Sequence, residues 1–288
     1  MLQERFADRV AARLADLQPA ERRVADHFLG LGPQAAVQSA AAIAAQVGTS
    51  DATVVRTAKA LGYRGLSDLR EALAASANDE APRERLRRTL DRLPPGDVLG
   101  RTVRDHVAGL DEMSHRIDDA EFQRAADLLS VSSRIVWRGV GPSAHLAQYA
   151  AVLTQRVGKP TTALVHTGDS FADELLSLAP DDAVVVFAYG RPQSHVDVLL
   201  ERANALGISV VLVTDALGRR YATKVDTTLT SGRGRPGLFA SHGTTVVLIE
   251  ALVIAVASAD RERAEQALNT LNDLRAALLG RRADVDAR

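Results

Sequence analysis

Along the first quarter of the chain, apolar residues return every three or four positions, the period of a helix with one buried face. Phe6, Val10, Leu14 and Leu17 keep this spacing, and Val24, Phe28 and Leu31 repeat it. Pro19 suits the first turn of that second helix, over 20–31, and Gly32-Pro33 ends it. Ala42, Ile43, Ala45 and Val47 give a third helix a small apolar face, closed by Gly48 in a left-handed turn. Ser50 or Asp51 then caps a fourth helix, predicted to turn Val54, Val55, Ala58 and Leu61 inward and Thr53, Arg56, Thr57 and Lys59 outward. Polar, arginine-rich 78–95 is broken by Pro82 and Pro94-Pro95 and reads as a connector, helical between its prolines through Leu86, Leu90 and Leu93. Helices over about 98–116 and 120–129 follow.

From Arg134 onward the period changes. Short apolar runs without alternation occur at 134–137, 161–166, 183–187, 208–214 and 226–230, with helical stretches such as 194–206 between them. Such runs, separated by helices, predict a mainly parallel five-stranded sheet covered on both faces, the doubly wound α/β arrangement. The chain thus divides into an all-α first domain over 1–76, a linker over 77–100 and an α/β domain over 101–280. The last residues, 281–288, read as a disordered tail.

Two short helices around a tight turn, the second cationic, form the pattern of a helix-turn-helix whose second helix enters the DNA major groove; an ordinary helical hairpin has the same pattern. The run Gly48-Thr49-Ser50-Asp51-Ala52-Thr53-Val54-Val55-Arg56, then Ala60-Leu61-Gly62-Tyr63 and Gly65-Leu66-Ser67-Asp68-Leu69, closely resembles the DNA-binding domain of the RpiR/MurR bacterial regulators. That resemblance implies double-stranded operator DNA as a partner, with Thr49, Ser50, Asp51, Thr53, Arg56, Thr57, Lys59 and Arg64 as DNA-contacting residues. It also implies a C-terminal sugar-isomerase-like (SIS) effector domain, a homodimer or homotetramer, and a repressor more often than an activator.

The second half is similar to a SIS domain from Arg134 to about Ala257. Gly139-x-Gly141-x-Ser143 follows the first strand, where doubly wound sheets bind ligands. Its glycines let backbone N–H groups approach an anion, and the Ser143 hydroxyl would cap the next helix. Family members that bind sugar phosphates carry a Ser-x-Ser-Gly-x-Ser/Thr loop after the third strand. Here that segment is Phe187-Ala188-Tyr189-Gly190-Arg191-Pro192, and the three hydroxyl positions have become Phe, Tyr and Pro. Arg191 would instead grip a carboxylate or phosphate bidentately, or serve as a surface or dimer contact. The expected effector residues are Gly139, Gly141, Ser143, Tyr189, Gly190, Arg191 and Ser194, with His195 adding a polar contact.

Composition narrows the chemistry. The absence of cysteine removes disulfides, thiolate nucleophiles and zinc-thiolate sites. Seven histidines without H-x-H or H-E-x-x-H spacing support no metal site. The N-terminus is charged and amphipathic, and the longest apolar runs fall short of a membrane span, so the expected compartment is the cytoplasm. Net charge is −1, but from Ala52 to Arg70 the balance is +3, with Arg56, Lys59, Arg64 and Arg70 against Asp68. Glu250, His145 and His242 are the available bases for an isomerase, the runner-up reading; a bare interaction module is the third. The reading that absorbs both halves is a cytoplasmic DNA-binding regulator, without catalytic residues, cofactor or metal, controlled by a small anionic metabolite, either a sugar phosphate or a carboxylate.

Overall fold

The computed structural model describes residues 6–76, 82–93, 96–235 and 238–279. The chain divides into two compact units, one running to Ala108 and including Arg233–Ser241, the other formed by Gly109–Gly232 and the residues from His242 onward.

The first unit is helical: α1 (Phe6–Arg13), α2 (Pro19–Leu31), α3 (Ala40–Val47), α4 (Asp51–Ala60), α5 (Leu66–Ser76) and α6 (Pro82–Asp91), followed by α7 (Val98–Arg116), within which the division falls. Its core gathers Phe6, Val10, Leu17, Val24, Phe28, Ile43, Val54, Leu61 and Leu69. Phe6 meets the edge of Phe28 with ring centroids 6.3 Å apart. The spacing that nominated Leu14 fails there. The α-helix stops at Arg13 and Leu14–Asp16 tighten into a 3₁₀ turn, which rotates Leu14 off the apolar stripe and leaves it exposed. The prolines at 94 and 95 and the tail at 281–288 lie outside the described residues.

In the second unit α8 (Asp119–Val131) leads into five parallel strands in the order β2-β1-β3-β4-β5. These are β1 (Arg134–Arg138), β2 (Thr161–Leu164), β3 (Asp182–Phe187), β4 (Ser209–Thr214) and β5 (Thr227–Thr230). The helices between them are α9 (Pro142–Arg156), α10 (Asp169–Leu176), α11 (Ser194–Leu206) and the short α12 (Gly218–Tyr221); α13 (Gly243–Ala259) and α14 (Arg261–Leu279) follow β5. One face of the sheet (Ile135, Trp137, Val185, Phe187, Val211, Val213) packs under α8, α9 and α13 through Leu129, Ala147, Leu248 and Leu252. The other (Val136, Val184, Val186, Leu212) packs under α10 and α11 through Phe171, Leu175, Val196 and Leu199. Burial on both faces explains the unalternating runs in the sequence.

Polar side chains fix the frame. Arg134 grips Asp182 with two hydrogen bonds of 2.9 and 2.6 Å, tying the starts of β1 and β3. Lys159 is buried and donates to the carbonyls of Ser130 (2.8 Å) and Ser132 at the end of α8. Among the described residues no single helix is long and apolar enough to cross a membrane.

Candidate functional site

Two places in the chain combine exposed or unpaired polar groups with a rigid support: the α3–α4 corner, and the edge of the sheet where its strands end.

At the corner, Ser39 caps α3 through its hydroxyl (3.0 Å to the Ala42 N–H), and Gly48 ends it at φ +64°. Ser50 then caps α4 by accepting from the Thr53 N–H at 3.3 Å. Arg23, from α2, reaches across to the carbonyls of Val47 and Gly48 at 3.3 Å each, so the turn is held from outside as well as within. Arg13 donates to the Leu61 carbonyl at 3.2 Å at the far end of α4.

The eight residues expected at DNA fall into two sets. Asp51, Arg56, Lys59 and Arg64 are exposed, as is Ser50, and Thr49 is half-buried. Thr53 and Thr57, expected outward, are buried. The inward stripe of α4 is Val54, Thr57, Ala58 and Leu61, and Thr57 belongs to it because its hydroxyl donates to the Thr53 carbonyl at 2.8 Å, which leaves its methyl to pack. Val55 and Ala45 shift the other way, to half-buried and exposed. Thr53 retains an indirect link to the surface: its hydroxyl accepts from Arg56 at 3.2 Å and lies 3.0 Å from the Ser50 hydroxyl. Arg64 pairs with Asp68 at 3.1 Å on an exposed helix start.

At the C-terminal edge of the sheet, the β1–α9 loop is built by close backbone approach. A Cβ on Gly139 would stand 2.0 Å from the Ser143 carbonyl oxygen, and Gly141 sits at φ +61°, ψ −130°, a glycine-only conformation. The helix N-cap is Gly141, not Ser143: Pro142 takes the first helical position, so Ser143 lies two residues too far along to cap. Its hydroxyl instead closes the loop, accepting from the Val140 N–H (3.0 Å) and donating to the Val140 carbonyl (2.8 Å).

The loop after β3 is equally occupied. Phe187 is buried and stacked on Trp137 at 6.0 Å. The Tyr189 hydroxyl lies 2.7 Å from the Thr245 hydroxyl, and Gly190, at φ +75°, donates its N–H to Asp215 at 2.8 Å. Phe187 and Tyr189 are thus packing residues, while Arg191 and Ser194 are exposed. Of the proposed bases, His145 is exposed, Glu250 accepts from the Tyr149 hydroxyl at 2.7 Å on the outer side of α9 and α13, and His242 meets the edge of the Tyr189 ring at 5.3 Å. Among the described residues no three His, Asp or Glu side chains gather as a metal site requires.

One residue at this edge was missed by sequence reasoning. Arg138, the last residue of β1, is 1% exposed. Its Nη1 donates to the carbonyls of Leu164 (3.1 Å) and His166 (2.8 Å), 3.7 Å from Glu174, and its guanidinium lies 3.8 Å above the centre of the Phe171 ring. Burial pulls the guanidinium down to about 10, and the same burial, with Arg138 nearby, holds His195 below the ordinary histidine range. The available signal was a cation ending an otherwise apolar buried strand.

Comparison with known proteins identifies the two domains that carry these places. The helix-turn-helix domain of the rpiR family matches residues 5–80, and the SIS domain matches 128–255. The HTH-type transcriptional regulator HexR of Escherichia coli is 27% identical over 212 residues, 73% of this chain and 72% of its own. YbbH of Bacillus subtilis, also an HTH-type regulator by name, is 25% identical over 248 residues, 83% of this chain and 84% of its own. Among solved structures, NanR of Vibrio vulnificus complexed with ManNAc-6P superposes with a TM-score of 0.57 at 23% identity, covering 95% of this chain and 98% of that one. The fold is the same.

Proposed function

This chain belongs to the rpiR family of helix-turn-helix transcriptional regulators that carry a SIS domain, and on that premise we propose how its two units divide the work. Residues 1–76 read double-stranded operator DNA, 77–100 connect, and 101–280 bind a small anionic effector and pair two copies in the cytoplasm. The observation that carries the DNA reading is the exposed line Asp51, Arg56 and Lys59 on α4, a helix whose opposite face is fully buried. Arg56 is placed for base edges and Lys59 and Arg64 for phosphates. Two such helices about one DNA turn apart read a pseudo-palindrome, which makes a homodimer or a tetramer built from it the working form.

The effector reading draws on the edge of the sheet. In NanR the bound molecule is ManNAc-6P. This chain keeps the glycine loop after β1 but spends the Ser143 and Tyr189 hydroxyls internally, so its anion has to find other donors. Occupying an operator blocks transcription by default, and repressor is the sign we assign. A mobility-shift assay on the gene's own upstream DNA, run beside a turnover assay on a sugar-phosphate panel, tests the proposal. A shift weakened by Arg56→Ala, without turnover, supports it. Turnover without sequence-specific binding replaces it with an isomerase.

A further inference from the structure

We propose that Arg138 holds a carboxylate of the effector on the Nε–Nη2 edge of its guanidinium, at the C-terminal end of β1. The proposal rests on the second unit being the effector domain and names the chemistry of that site.

The argument begins with what the rest of the protein uses Arg138 for. Nη1 alone does structural work, closing the exit of β2 through the Leu164 and His166 carbonyls. Nε and Nη2 are buried and have no hydrogen-bond partner. Leaving donors of a charged group unsatisfied in the interior costs more than an ordinary missing hydrogen bond, so such an edge needs an occupant. The two free donors are moreover the pair whose N–H bonds lie parallel along one edge of the planar guanidinium. That fork matches the two oxygens of a carboxylate or phosphate.

Its surroundings choose between the two. Phe171 covers one face of the guanidinium, and His195, in the first turn of α11, stands edge-on to Phe171 with ring centroids 6.2 Å apart. Glu174, 3.7 Å from Nη1, already offsets part of the positive charge. It is itself anchored by the Val165 N–H at 3.0 Å and lies 2.6 Å from His166 Nδ1. Burial and the nearby Arg138 hold His195 below the ordinary histidine range, so it is disfavoured as a second cation here. One partly neutralised cation under an aromatic roof suits a planar monoanion. A dianionic phosphate would bring a second charge to a cation that Glu174 already partly offsets. The positive end of α11, a helix of 13 residues, lies beside His195 and favours the same sign.

The test uses the full-length protein with acetate, gluconate, inorganic phosphate and glucose 6-phosphate at matched ionic strength. Each is titrated while the arginine Nε–H resonances of ¹⁵N-labelled protein are recorded. The Arg138 signal is the one lost in Arg138→Lys, which keeps the charge but has no fork. Acetate and gluconate are expected to move that signal and slow its exchange, the two phosphates to leave it in place. Gluconate affinity, by calorimetry, should fall at least about tenfold in Arg138→Lys. An Arg138 signal indifferent to all four probes, or moved only by the phosphates, overturns the proposal. So does unchanged gluconate affinity in an Arg138→Lys protein with native Trp137 fluorescence; should that variant misfold, the wild-type spectra decide alone. A protein that shifts its upstream DNA but leaves Arg138 unmoved loses this site and keeps its regulatory role, whereas loss of the DNA shift removes the role itself.

Discussion

Adding one methyl group at Gly139 should destabilise the second unit severely. The Cβ of Gly139→Ala would lie 2.0 Å from the Ser143 carbonyl oxygen, 2.4 Å from its carbon and 2.9 Å from the Ala144 nitrogen. All three are backbone atoms in the first turn of α9, so no side chain can rotate away. Relief requires moving the end of β1 and the start of α9 apart by roughly 1 Å, although both are packed into the core through Trp137 and Ala147. Overpacking of this kind costs about 1–3 kcal/mol, and a backbone clash belongs at the upper end. Trp137, the only tryptophan, stacks on Phe187 two residues before the mutation and reports on this unit alone. In urea unfolding followed by its fluorescence, a loss of about 3 kcal/mol at a slope of about 2 kcal/mol/M moves the midpoint down by about 1.5 M. Gly141→Ala provides the contrast. Nothing stands within 4 Å of its Cβ, so only the backbone conformation is penalised, and the loss should be smaller, about 1–2 kcal/mol. A Gly139→Ala protein within about 0.5 kcal/mol of wild type would refute the loop geometry.

Arg56→Ala should weaken operator binding by about 1–3 kcal/mol and relax preference at one base position, while Lys59→Ala should weaken all sequences alike and flatten the salt dependence by about one unit; titrations at several salt concentrations separate them. Thr57→Val, because Thr57 faces the core, should leave operator affinity and preference unchanged and cost about 1 kcal/mol of stability through the lost bond to the Thr53 carbonyl. A change of sequence preference would return Thr57 to the DNA face. The depressed His195 has a signed consequence for acid stability: the unfolded chain takes up this proton from about pH 6.5 downward, before the folded protein does, so folded stability is complete above that pH and declines as pH falls through it. His195→Gln should remove that part of the decline, measured by urea midpoints across the range.

The helices and strands were legible because their signals are local. Glycine at 48 and serine at 50 delimit α3 and α4 wherever the chain sits, and short unalternating runs such as 183–187, rich in valine and set between helices, fit a doubly covered strand. Strand order was not legible, since pairing β1 between β2 and β3 depends on contacts between residues far apart in sequence. Threonine was the other difficulty. Its methyl and hydroxyl suit either face of a helix, and only the back-bond from Thr57 to Thr53 places it inside. At the sheet edge, the sequence points to the turn after β1 and the segment after β3, but it does not say that the hydroxyls of Ser143, in the first turn of α9, and of Tyr189 are already spoken for. Arg138 went unnoticed for the opposite reason: a charge within an apolar run looks like a strand end, and its burial becomes visible only when β2, α10 and α11 close around it.

The brace that Arg23 places on the α3–α4 turn has a thermodynamic consequence. With Val47 and Gly48 held by α2, with Ser39 and Ser50 capping the two helices, and with one face of α4 sunk in the core, the reading surface exists before DNA arrives. Association then orders few backbone dihedrals. Its heat-capacity change reflects the contact area alone and lacks the large additional decrease that accompanies folding on binding.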